Sequence, residues 1–169
     1  MYLTLRYKAC QLLNMLEGQT SYIQIAAEEA KKAALRGEIP VGAVLVDGAK
    51  DKIIAVEGNR TVELLNPTAH AELLVIQSGC RKLESLHLLE CDLYVTLEPC
   101  PMCAQAITLA RIRRLYFGAY DTKGGGVEHG ARIFEQPTSN HHPEVYGGIE
   151  EKMCGELLRS FFNEKRIKF

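Results

Sequence analysis

Tryptophan is absent from the 169 residues, and phenylalanine, tyrosine and tryptophan together make up 7% of the chain. No run approaches the roughly 18 uninterrupted apolar residues of a membrane span, so a membrane partner is excluded. Neither sign of charge is in excess: 20 Lys and Arg face 21 Asp and Glu, a formal net charge of −1. That balance excludes a bulk polycation that coats nucleic acid, so any such contact has to come from local patches. Linkers rich in proline and serine, low-complexity tracts and internal repeats are missing too, which leaves one domain. Six cysteines, with a single C-x-x-C pair, are too sparse for a disulfide scaffold. The opening Met1-Tyr2-Leu3-Thr4-Leu5-Arg6-Tyr7-Lys8 carries charge where a secretory signal needs an apolar run. This predicts a cytoplasmic setting with reduced thiols. What is present, 47% apolar and 24% charged residues, is globular composition.

Helix-like and strand-like patterns alternate along the chain. Ile23, Ala26, Ala27, Ala30 and Ala34 predict a helix over 21–36, stopped by Gly37. A buried strand over 41–46 turns at Asp47-Gly48 into a second strand over 53–56. Thr68 is the predicted N-cap of a helix over 68–78. A strand over 92–97 ends at Pro99, which leads into a helix over 102–110 and a strand over 114–119. Gly124-Gly125-Gly126 predicts a flexible loop, 130–134 a short helix, and 150–166 an amphipathic helix. The order predicts an α/β domain over 21–169 with helices on both faces of the sheet. Residues 1–20 read as an N-terminal extension of unclear role, with Met15 an alternative start.

Two short patterns carry chemistry, His70-Ala71-Glu72 and Pro99-Cys100-Pro101-Met102-Cys103. A shuffled chain of this composition shows H-x-E about 0.5 times but the Pro-led C-x-x-C only about 0.01 times, so the conjunction is the signal. Thiolate and imidazole are ligands that Zn²⁺ favours, and three of them leave one tetrahedral position for water. His70, Cys100 and Cys103 make three. Placed near helix N-termini, the cysteines gain stabilisation as thiolates. Glu72, two residues beyond His70, is placed to face that water as a proton carrier without ligating. The competing reading is a closed structural zinc site, with His87, His129 or Cys80 as a fourth ligand. Glu98 reads as structural or as support behind the ligands. Phe161-Phe162 is core or a stacking platform, Asp121 and Lys123 are turn charges or contacts, and Arg111, Arg113 and Arg114 are an RNA patch or a solvated helix end.

The H-x-E and P-C-x-x-C pair resembles the zinc-dependent cytidine and deoxycytidylate deaminase superfamily. Glu38-Ile39-Pro40-Val41-Gly42-Ala43-Val44, Asn66-Pro67-Thr68-Ala69 before His70, and Leu93-Tyr94-Val95-Thr96-Leu97-Glu98 before Pro99 resemble its bacterial tRNA-specific adenosine deaminase branch. So do Ala110-Arg111-Ile112, Phe117-Gly118-Ala119-Tyr120-Asp121-Thr122-Lys123, Asn140-His141 and Leu157-Leu158-Arg159-Ser160-Phe161-Phe162.

The resemblance implies a cytidine-deaminase-like three-layer α/β/α sandwich around a mixed sheet of about five strands. It also implies a homodimer, one Zn²⁺ per subunit, and hydrolysis of adenosine to inosine at the wobble position of a tRNA anticodon stem-loop. By the same motifs Glu72 is the catalytic proton carrier and His70, Cys100 and Cys103 hold the metal. Asn59 bonds the flipped base and Val41 packs on it. Asp121, Lys123, Asn140, His141 and Phe162 hold neighbouring nucleotides, and Arg166 meets phosphate. One stretch departs from the family: Gly124-Gly125-Gly126-Val127-Glu128-His129-Gly130 replaces a Gly-Ala-x-Gly-Ser-like run and brings an extra acid. A free guanine or cytosine deaminase, and a non-enzymatic RNA-binding relative, are the alternatives.

Overall fold

The computed structural model describes residues 21–166; the proposed extension over 1–20 lies outside the described residues, as does 167–169. In chain order the elements are α1 (Tyr22–Leu35), β1 (Gly42–Asp47), β2 (Lys52–Gly58), α2 (Ala71–Leu83) and β3 (Cys91–Leu97). They continue with α3 (Pro101–Ala110), β4 (Arg114–Ala119), a 3-10 turn (Ile133–Glu135), β5 (Glu144–Tyr146) and α4 (Glu151–Arg166). Ser21 starts α1 through a reciprocal cap: its hydroxyl accepts the Gln24 N–H while the Gln24 side chain accepts the Ser21 N–H. Pro101 opens α3, where its missing N–H costs nothing.

The five strands pair in the order β2-β1-β3-β4-β5. β1 runs antiparallel to both β2 and β3, while β3, β4 and β5 are parallel. The parallel pair β3–β4 requires a crossover, and α3 supplies it.

Alternation along each strand makes the layers. Ala43 and Leu45 of β1, Leu93 and Val95 of β3, and Leu115 and Phe117 of β4 enter one core. There they meet Val75 and Ile76 of α2 and Ala104 and Ile107 of α3. Their neighbours Val44, Val46, Tyr94 and Tyr116 point into a second core with Ala26 of α1. In that second core Tyr94, Tyr116 and Tyr146 stack with ring centres 4.5 and 4.8 Å apart. α4 closes the same side through Cys154, which packs with Ile23 and Ala119. Two helices thus cover each face, in the three-layer arrangement expected of the cytidine-deaminase-like class. A fully buried Phe117, Leu93 or Leu115 contributes about 1.5–3 kcal/mol each.

Three local differences from the sequence expectations have physical causes. The second helix starts at Ala71 rather than Thr68, because the Asn66 side chain takes both the N–H and the hydroxyl of Thr68. β5 is only three residues long, too short to show alternation; its ladder with β4 and the 3.0 Å Arg114–Glu144 pair hold it. The Gly124–Gly126 run is packed rather than slack, for reasons that belong to the site below.

Candidate active site

β3 and β4 run in the same direction, so the segments that follow both strands meet at one edge of the sheet. Ligands of α/β sheets gather at such carboxyl ends. Glu98 and Pro99 carry the chain from β3 to Cys100, the N-cap residue of α3. His70 is the N-cap residue of α2. Neither side chain caps its own helix. They turn toward each other instead, with Cys100 Sγ 3.8 Å and Cys103 Sγ 3.5 Å from His70 Nδ1. A distant residue does the capping of α2: Asn59 Oδ1 accepts the Ala71 N–H at 2.9 Å. That bond releases His70 for ligation and leaves the Asn59 amide –NH₂ as the group it offers to a ligand.

The ligand atoms of His70, Cys100 and Cys103 all lie within 4.8 Å of one another. Among the described residues they form the one His/Cys/Asp/Glu group with metal-holding geometry. One imidazole and two thiols suit Zn²⁺. No fourth described residue joins them: His129 Nδ1 is engaged by Glu98 at 2.8 Å, and Cys80 Sγ lies 3.8 Å from the Leu86 carbonyl. The geometry therefore favours a site with a position open to water over a closed structural one.

The electrostatics agree. The hydrogen bond from the Cys103 thiol, helped by His70 and opposed by burial, brings the Cys100 thiol down to about 4. Its partner Cys103 is pushed up by that same bond and by burial. One thiolate thus stands ready beside a helix N-terminus, and a cation is what permits the second. His70 is raised by its bond to Cys100, against its own burial.

Glu72, in the first turn of α2, is 4% exposed, and burial raises its carboxyl above the ordinary range. Its Oε2 is buried without a hydrogen-bond partner. A buried unpaired carboxylate oxygen is costly and asks for a ligand. A metal with its water beside His70 and the two thiols meets that demand.

A cavity of about 460 Å³ opens above the cluster, lined by Val41, Asn59, His70, Glu72, Cys100 and Asp121 among others. That volume suits a nucleobase-sized ligand. Val41, Asn59 and Asp121 thus line one pocket with the cluster. Lys123 is exposed on the rim; Asp121 Oδ1 accepts the N–H groups of Lys123 and Gly124. Phe162 is 45% exposed on α4, while its neighbour Phe161 is half-buried facing the end of α1. Arg166 is the last residue of α4. Asn140 and His141 are not brought to the cluster. His141 Nε2 lies 2.6 Å from the carbonyl of Ile112, which precedes β4, whereas Asp121 follows the far end of that strand.

Two buried carboxylates that motif reasoning gave no chemical role hold the walls of this pocket. Glu38 accepts Val62 N–H, Glu63 N–H and the Thr61 hydroxyl at 2.9–3.0 Å, fixing the segment after Asn59. Burial alone raises its carboxyl; these donors outweigh it and hold the carboxyl below its ordinary value. Glu98 does the same for the opposite wall. The sequence signal for both was an acid beside a proline at a strand boundary, Glu38-Ile39-Pro40 and Glu98-Pro99.

The glycine run is needed for close approach. A Cβ on Gly126 would lie 2.5 Å from Pro101 N, inside the backbone that carries the cysteines. Gly126→Ala is expected to lower stability by about 1–3 kcal/mol in urea unfolding and to reduce zinc occupancy, because the collision is with backbone that cannot yield.

The family model described as the cytidine and deoxycytidylate deaminase zinc-binding region matches residues 16–119. A tRNA-specific adenosine deaminase of Agrobacterium fabrum is 55% identical over 150 residues, 88% of this chain and 97% of that relative. A solved structure from work on A-to-I editing by tRNA:A34 deaminases at the wobble position superposes with a TM-score of 0.79 and 53% identity. That match covers 81% of this chain and 98% of the other. A guanine deaminase from Nitrosomonas europaea shares the fold at a TM-score of 0.73 but only 21% identity, over 83% and 82% of the two chains.

Proposed function

Because the chain belongs to the cytidine and deoxycytidylate deaminase family, in its tRNA-specific adenosine deaminase branch, we infer that it hydrolyses adenosine to inosine at the wobble position of a tRNA anticodon. The observation that carries this reading is the unpartnered Glu72 oxygen, buried beside a three-ligand His/Cys/Cys cluster at the base of a nucleobase-sized pocket. Zinc held by His70, Cys100 and Cys103 supplies a Lewis acid that makes water nucleophilic near neutral pH. Glu72 takes a proton from the attacking water and delivers it to N1 of adenine as the water oxygen bonds to C6. A second proton passes through Glu72 to the amine, the C6–N bond breaks, and ammonia leaves.

The base is held by the Asn59 amide –NH₂ and packed by Val41. Asp121 and Lys123 meet nucleotides beside the flipped adenosine, Phe162 offers an exposed ring, and Arg166 meets phosphate in this reading. Asn140 and His141, away from the metal cluster, hold further nucleotides of the same loop in this reading. An anticodon loop suits such a site, since its bases are already unpaired and cost little to splay out.

Residues 21–169 form the catalytic domain in this reading, with 1–20 an extension to it. The working unit is a homodimer, supported by the exposed Leu86, Leu89 and Leu109, which association would cover. The setting is the cytoplasm, supported by five described cysteines that are all free; no described helix is long and apolar enough to cross a membrane. Zinc-loaded protein is expected to form inosine from an anticodon stem-loop with adenosine at the wobble position, read by nuclease digestion and nucleoside chromatography. No inosine, together with rapid release of ammonia from free guanine or cytosine, would move the assignment to a free-base deaminase.

A further inference from the structure

The Glu98 carboxylate is fully shielded from solvent, and both of its oxygens are occupied. Oε1 accepts the N–H groups of Glu128 at 2.9 Å, His129 at 2.8 Å and Val127 at 3.3 Å. Oε2 accepts the Asp121 N–H at 3.1 Å and bonds His129 Nδ1 at 2.8 Å. A carboxylate has about four acceptor sites, so five donors leave Glu98 nothing for a metal or a substrate, although it borders the pocket. Its donors come from both ends of one loop, 121–129. The start of that loop carries Asp121 and Lys123, and its middle presses on the metal-site backbone through Gly126 N–H to the Pro99 carbonyl at 2.8 Å. Gly125 has to be glycine here, because a Cβ would lie 2.6 Å from Glu98 Oε1.

His129 supplies the one side-chain donor, and its ring is backed by Tyr120, edge to face at 5.7 Å. Tyr120 in turn stands edge to face on buried Phe117 of β4 at 5.2 Å. The ring bond is thus braced from the core, and it lies in the stretch where this chain departs from the family pattern.

We propose that Glu98 and His129 form a clasp that fixes where Asp121 and Lys123 stand relative to the metal cluster, making His129 a positioning residue for recognition of the nucleotides beside the reacting adenosine. The proposal rests on the reading of Asp121 and Lys123 as RNA contacts. Glu98 is the anchor and His129 the removable half. Removing the ring leaves the four backbone N–H donors, so the fold and the cysteines stay in place while the loop loosens.

The test compares the parent with His129→Ala and His129→Asn, whose amide can place a donor near the position of Nδ1. Zinc content, amide hydrogen exchange over 121–129 and stem-loop kinetics are measured on each. For His129→Ala we expect faster exchange of the Asp121 and Glu128 amides, unchanged zinc, and a KM for the stem-loop raised about tenfold with kcat within about twofold. His129→Asn is expected to recover most of both effects. Exchange and KM unchanged in His129→Ala would overturn the clasp, as would zinc loss with kcat and KM falling together. Faster exchange in a protein whose parent makes no inosine would keep the clasp as the loop's anchor and overturn the reading of that loop as an RNA contact.

Discussion

Glu72→Gln is expected to cut inosine formation by about 10³-fold, a rise of roughly 4 kcal/mol in the barrier, with zinc content and stem-loop affinity unchanged. The glutamine amide has nearly the shape of the carboxyl and fits the same buried space in α2. What it cannot do is accept a proton from water and return it to N1 and then to the amine. Affinity is expected to be unaffected because the proposed reading gives the holding to Asn59, Val41 and the rim. Stability moves the other way. The Glu72 carboxyl is raised by burial and has one oxygen with no partner, so neutralising it removes a desolvation cost. The variant should therefore melt at the same temperature as the parent or higher while being inactive, a trade typical of active-site groups held at the expense of the fold. Activity above a tenth of the parent would mean that another group carries the proton. Activity loss accompanied by zinc loss would mean that Glu72 supports the metal rather than the chemistry.

The strands and helices were legible wherever burial imposes a period. The strand read over 114–119 is β4 to the residue, and Pro99 with Pro101 bracketed the passage from β3 to α3, because proline constrains backbone regardless of context. The grouping of His70, Cys100 and Cys103 was legible for a related reason: metal binding demands those residue types in short motifs, and the backbone geometry at two helix starts does the rest. What escaped depends on distance along the chain. Asn66-Pro67 is a local turn signal that takes Thr68 out of the cap, but nothing local announces that Asn59, twelve residues before Ala71, will cap α2 in place of His70. The glycine run shows the same limit. Three consecutive glycines are the composition of a flexible loop, but Gly125 and Gly126 are small because Glu98 and Pro101 lie against them. Glu98 itself looked like a strand-end acid, and only the folded chain brings it five donors from a loop more than twenty residues away.

Charge balance belongs to the same argument. Across 1–110 the chain has 10 basic and 13 acidic residues, and across 111–169 it has 10 and 8, so the part carrying Asp121, Lys123, Phe162 and Arg166 is slightly basic. The basic residues there are not all free to meet RNA. Arg113 makes two bonds to Asp92 at 2.8 and 2.9 Å, and Arg114 pairs with Glu144 at 3.0 Å. Two of the three arginines that read as either patch or helix end are thus tied to carboxylates at the opposite end of β4 from the metal cluster. With those two arginines committed and no excess of positive charge, recognition by flipped bases and a handful of contacts is expected, and binding should vary only modestly with salt.

Cys103→Ala is expected to lose zinc on dialysis and to bring deamination below detection. Cys103 is fully buried, 3.5 Å from His70 Nδ1, and one turn of α3 sets it beside Cys100. Alanine leaves two protein ligands where three would hold the ion, and no other described residue completes a three-ligand group of the same geometry. The packing loss is small, a single sulfur atom, so the metal-free variant should still fold. Its signature is in the response to added zinc. Free zinc at a hundred times the dissociation constant stabilises a protein by about 2.7 kcal/mol, a Tm rise of roughly 5–10 °C for a domain of this size. Chelator-stripped parent should show that rise and regain activity with zinc, whereas Cys103→Ala should show neither at the same concentrations. A variant that keeps one tightly held zinc and turns over stem-loop would place the metal on other ligands. A variant that binds zinc weakly yet regains activity at high concentration would show that His70 and Cys100 suffice to orient it, leaving Cys103 to affinity alone.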